Sequence, residues 1–136
     1  LKVDNPNLNE YYVAWLLWPQ TEVWPDDGEI DFPEGSLAGT ASAFHHYAGS
    51  GSYGGCRPNC QAGAGTSAKF TDWHTYTVEW APNFVKFYVD GQVILSATEH
   101  IPNKPMRWQL QTETKGLGSG NGNLMVDWVS VWEYRG

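Results

Sequence analysis

An all-β fold is what this sequence predicts, and three observations predict it. No long segment carries helical periodicity. Short β-branched and aromatic runs recur along the chain. Clusters of Gly, Pro and Asn separate those runs at short intervals. With 136 residues the chain has the length of one domain, long enough for a genuine core. Residues 1–136 read as a single unit, with no internal repeat. Strands of this kind bury their apolar faces in a sandwich or barrel.

The elements follow in order. The run 11–18, Tyr-Tyr-Val-Ala-Trp-Leu-Leu-Trp, ends at Pro19 and reads as a strand buried on both faces. Residues 29–32 alternate acid with apolar, and 40–47 form the next strand. Residues 48–69 are rich in Gly, Ser and Ala and read as a long loop. In 74–80, Tyr76, Val78 and Trp80 share one face. The stretch 84–97 is the clearest local signal: Asp90-Gly91 between two apolar runs fits a tight hairpin with positive φ in its turn. Residues 106–114 form another strand, 115–123 a flexible loop, and 124–134 the closing strand, with Leu124, Val126 and Trp128 facing one way.

Composition narrows the function. The net charge is −7 with only 8 Lys and Arg, which disfavours nucleic acid or an anionic membrane as partner. No apolar run reaches the roughly 18 residues of a membrane span. Eight Trp, 7 Tyr and 5 Phe exceed what a core of this size requires. Indole planes stack on the apolar C–H faces of sugar rings, so a carbohydrate ligand is the reading that this excess invites. The first residues carry no apolar signal core; either a signal has been removed or more protein precedes them. Cys56 and Cys60 lie close together in a Gly/Pro loop. A disulfide between them suits a secreted protein; two free thiols in a cytosolic loop are the alternative.

The stretch 24–35, Trp-Pro-Asp-Asp-Gly-Glu-Ile-Asp-Phe-Pro-Glu-Gly, places three acids, Glu29, Asp31 and Glu34, in otherwise apolar surroundings. In a strand, residues two apart share a face, so Glu29 and Asp31 point together. Strict alternation would send Glu34 into the core. A β-bulge absorbs one residue and restores the phase, and Pro33, with no N–H to give a ladder, is a natural place for it. All three carboxylates then face one way. Like charges this close raise at least one pKa, so one acid stays protonated near neutrality. An ionised carboxylate beside a protonated one is what glycoside cleavage with retention uses, with the two roughly 5–5.5 Å apart. A solvated acidic face without chemistry is the rival explanation.

The segment 14–35 that carries this motif resembles the catalytic segment of glycoside hydrolase family 16, in its bulged, laminarinase-like form. The segments 72–91 and 126–134 also resemble family strands, in the expected order. The resemblance implies a β-jelly-roll (concanavalin-like) sandwich of two antiparallel sheets with a substrate groove. The chain departs from the family in one respect: several more strands usually precede the segment that begins here, so either the chain is the C-terminal portion of a longer domain and lacks N-terminal strands, or the fold is completed in another way.

By motif position the resemblance implies Glu29 as nucleophile, Glu34 as acid/base, and Asp31 between them tuning their protonation. It implies sugar contacts at Trp24, at His45 in preference to His46, and along 106–114 at Trp108, Gln109 and Gln111. Asp127 matches a residue that helps hold a structural Ca²⁺ in many relatives, although one carboxylate is far from the six to eight oxygens that ion takes. No cofactor is required. The expected activity is endo-hydrolysis of β-glucan, with β-1,3 or mixed β-1,3/1,4 linkages, by a secreted monomer. A non-catalytic sugar-binding module and a transglycosylase on the same fold are the alternatives.

Overall fold

The computed structural model describes residues 1–49, 59–116 and 120–135. Ten strands form among them: β1 (Lys2–Val3), β2 (Tyr11–Pro19), β3 (Glu29–Ser36), β4 (Thr40–Ala48), β5 (Asn59–Lys69), β6 (Tyr76–Ala81), β7 (Phe84–Val89), β8 (Gln92–Ala97), β9 (Met106–Thr114) and β10 (Leu124–Met125). None of the described residues is α-helical, and no helix is long and apolar enough to cross a membrane. Strand pairing is antiparallel throughout. It gives a five-stranded sheet in the order β5-β4-β3-β2-β9, a three-stranded meander β6-β7-β8, and a small β1-β10 pair.

The two larger sheets pack face to face. Ile30, Phe32 and Ala43 from the five-stranded sheet meet Val85 and Phe87 from the meander, with Tyr76, Val78 and Trp80 closing the layer. Phe32 stands edge-on to both Phe87 (5.6 Å) and Tyr76 (5.2 Å), the arrangement aromatic quadrupoles favour. A second cluster, with Val3, Leu8, Val13, Trp15, Leu37 and Phe70 among its members, fills the other end. The predicted hairpin forms as read: Val89 pairs with Gln92, and Asp90 (φ 50°) and Gly91 (φ 80°) make the turn. Asp90 also accepts from the Thr75 N–H and sits 2.7 Å from His74 Nδ1, so His74 is part of the turn.

Two expectations are corrected. The stretch 48–69, read as a loop, holds the eleven-residue edge strand β5 over 59–69. At Gly63 the small residue is a packing requirement, not a sign of irregular chain. Gly63 lies opposite Phe44, and a Cβ on it would approach that ring to 2.6 Å. The closing strand expected over 124–134 is only Leu124–Met125; the chain beyond makes no ladder among the described residues. Val131 and Trp132 are 88% and 85% exposed, so the apolar alternation there has no sheet to bury it. Cys60 is buried at the start of β5, while Cys56, and with it the proposed pairing, lies outside the described residues.

Candidate active site

Register decides which side chains meet. Asp31 pairs with Leu16 on β2 and Phe44 on β4; Glu34 pairs with Ala14 and Ser42. Three steps along β3 thus match two on each neighbour, which is a β-bulge with one extra residue at Phe32-Pro33. Glu29, Asp31 and Glu34 consequently share the face turned away from the meander, while Ile30 and Phe32 enter the core. Gly28 opens the strand with φ 81°, and a Cβ there would lie 2.7 Å from Pro102. Only glycine fits the turn that launches Glu29.

The three acids sit in different surroundings. Asp31 is 2% exposed, and burial, then the Glu29 and Glu34 charges, push its pKa up to about 9. It is therefore a neutral hydrogen-bond donor at neutral pH, aimed at Glu29. Burial also raises Glu34, opposed by a hydrogen bond from Tyr12, whose O–H donates to Oε1 at 2.8 Å. Glu29 Oε2 accepts from the Trp24 indole N–H at 2.6 Å. A carboxylate fed by donors favours its charged form, and a buried one favours its neutral form. The row thus holds a neutral Asp31 between two carboxyls in unlike surroundings.

A polar chain runs from Glu29 to the sheet edge. Trp24 stacks on Trp18 (6.3 Å, 12°), and Trp18 donates to Glu22. Glu22 pairs with Arg107, which holds its pKa down. The Gln109 amide, with its oxygen toward Arg107, accepts from Nε at 2.7 Å. Gln109 and Gln111 lie opposite Leu16 and Ala14, so both stand on the acid face, as expected.

Two candidates stand elsewhere. His45 pairs with Ile30 and is fully buried on the core side, against the backbone of Glu99 and His100, with its pKa lowered by burial. The neighbouring His46 pairs with Glu29 and places Nε2 3.4 Å from Asp31 Oδ2, so it is the histidine of the site. Trp108 pairs with Leu17 and packs edge-on to Trp15 (6.1 Å), on the face opposite the acids. It is 45% exposed and Leu110 on the same face 52%, whereas Met106 at the start of β9 packs against the core between the sheets. Sequence reasoning passed over Tyr12, Trp18, His46 and Arg107. Tyr12, Trp18 and Arg107 could have been found by counting in twos from residues already placed on the acid face.

Among the described residues, the one grouping of metal-ligating side chains is Glu29, Asp31 and His46, with ligand atoms within 4.8 Å of one another. Asp127 lies outside that grouping, exposed, near enough to the Leu1 amino group for its charge to be felt.

An antiparallel sandwich with a row of unlike carboxylates across the open face of one sheet is the architecture of a sugar-processing β-sandwich. The comparisons with known proteins agree. The family model of glycosyl hydrolases family 16 matches residues 10–130, and the chain belongs to this family. A β-glucanase of Bacillus subtilis is 38% identical over 84 residues, 49% of this chain and 35% of that protein. A β-glucanase of Acetivibrio thermocellus is 47% identical over 64 residues, 47% of this chain and 17% of that protein. Among solved structures, the laminarinase from Rhodothermus marinus superposes with a TM-score of 0.60 at 22% identity, over 82% of this chain and 51% of that one. The LamAcat structure from Zobellia galactanivorans gives 0.60 at 21%, over 88% and 54%. These likenesses establish the jelly-roll fold. The matched stretch is about a third of the B. subtilis protein's length.

Proposed function

We propose that this chain carries the catalytic residues of an endo-acting β-glucan hydrolase that retains anomeric configuration. The observation that carries the reading is the bulge, which turns Glu34 onto the face of Glu29 and Asp31. Glu29, which accepts from the Trp24 N–H and from a protonated Asp31, is the nucleophile. Its carboxylate oxygen bonds to the anomeric carbon as the glycosidic C–O bond breaks, and Glu34 gives its proton to the departing oxygen. Glu34 then takes a proton from water, the water oxygen bonds to the anomeric carbon, and Glu29 leaves. The exposed Trp24 ring and the Gln109 and Gln111 amides would contact the glucan. Relatives named β-glucanase support a β-glucan substrate, and β-1,3 or mixed β-1,3/1,4 linkages are the ones proposed here. Proton NMR of the first products from laminarin and lichenan tests both linkage and stereochemistry. Products of inverted configuration, or an undiminished rate in Glu29→Gln, would overturn the assignment.

Three further readings rest on the same footing. Secretion and a Cys56–Cys60 disulfide go together, and thiol titration of the denatured, unreduced protein tests the second. A monomer is expected, read by light scattering. A structural Ca²⁺ ion at Asp127 would take six to eight oxygens, so further groups would have to join that carboxylate, and an unfolding midpoint unmoved by chelator would exclude it.

A further inference from the structure

Tyr12 lies outside the acid motif, on β2, and its role follows from where the register puts it. It pairs with Ser36, one same-face step from the Ala14–Glu34 rung, so its phenol points along the acid row. The O–H donates to Oε1 of Glu34 at 2.8 Å. Burial, the bond to Glu34 and the charges of Glu34, Asp31 and Glu113 all raise the phenol's own pKa. Tyr12 is therefore a donor at every pH at which the protein would act.

Glu34 has two oxygens, and an acid that protonates a leaving group must carry its proton on the one facing the cleft. A donor already seated on Oε1 makes that oxygen the carbonyl-like acceptor. The transferable proton is then left on Oε2. We propose that Tyr12 is the positioning residue of the acid/base, fixing which oxygen of Glu34 bears the proton and how it is turned. This rests on the glycosidase reading of the site. The other groups that bear on Glu34 are His46 from β4, Glu29 and Asp31 from β3, and Glu113 from β9.

Tyr12→Phe keeps the ring and removes the donor. In the full chain carrying ¹³C-labelled glutamate, the Glu34 δ-carbon titration should move up by about one pH unit, since a hydrogen bond to the carboxylate favours ionisation. On laminarin, kcat should fall about tenfold with KM little changed, and the alkaline limb should move up with Glu34. On 2,4-dinitrophenyl β-laminaribioside, whose leaving group departs without a proton, the glycosylation rate should hold. An unmoved Glu34 titration, or equal losses on both substrates, overturns the proposal. If the unmutated protein cleaves neither substrate, the glycosidase reading fails, and the NMR midpoint still decides whether Tyr12 holds Glu34.

Discussion

Replacing Asp31 by Asn should make the folded chain more stable, and increasingly so as pH rises. Asp31 is 2% exposed, with its pKa pushed from 3.8 to about 9 by burial and by its two acidic neighbours. Between those values the folded chain keeps a proton that the unfolded chain has released. Folding stability therefore falls by ~1.4 kcal/mol for each pH unit gained in that window. The contribution is fully present below pH 3.8 and is lost as pH climbs toward 9. Asn has nearly the same shape, still donates toward Glu29, and does not titrate. From pH 5 to pH 8 the stability difference between variant and parent should widen by at most about 4 kcal/mol, and by about 2–4 kcal/mol after local relaxation. Urea unfolding of both proteins at pH 5, 6, 7 and 8 reads this directly. A difference that stays flat across the series, or a variant less stable than the parent at pH 8, would refute the assignment of a buried, protonated Asp31.

Other substitutions probe other parts of the structure. Glu29→Gln should lower kcat on laminarin by about three orders of magnitude or more with the unfolding midpoint retained; activity near that of the parent would remove Glu29 as nucleophile. Trp24→Phe keeps the stack on Trp18 and deletes the N–H to Glu29. A hydrogen bond to a charged group is worth about 1.5–3 kcal/mol, so kcat/KM should drop about 10- to 100-fold. Phe87→Ala, in the fully buried layer between the sheets, should destabilise by about 3–5 kcal/mol in chemical denaturation. Asp90→Ala removes the acceptor of Thr75 and His74 from a turn residue at φ 50°, and should lose about 1–2 kcal/mol in thermal unfolding, most of it independent of salt.

Parts of this protein were legible one residue at a time. The Asp90-Gly91 turn needed no tertiary information, because positive φ and a two-residue connection are set by local sterics. Alternation within a strand was equally readable: Gln109 and Gln111 do share a face, and Tyr76, Val78 and Trp80 do share another. The Gly-rich β5 was not legible. Its residues have weak strand propensity, and what makes them a strand is the antiparallel ladder with β4, in which Gly63 leaves room for the Phe44 ring.

The sequence by itself determined that three acids share one side of a kinked strand, because the side-chain period of two and the place of Pro33 are local facts. It could not determine which of two adjacent histidines joins them. His45 and His46 fit the alternation of β4 equally well, and only the pairing of Glu29 with His46 sends one to Asp31 and the other into the core. Nor could it say that Trp108 turns its back on the acids or that 126–135 lies without a partner strand among the described residues. A period tells which residues travel together. The register and the layer packed behind the sheet tell which way they face, and both are made by contacts between residues far apart in the chain.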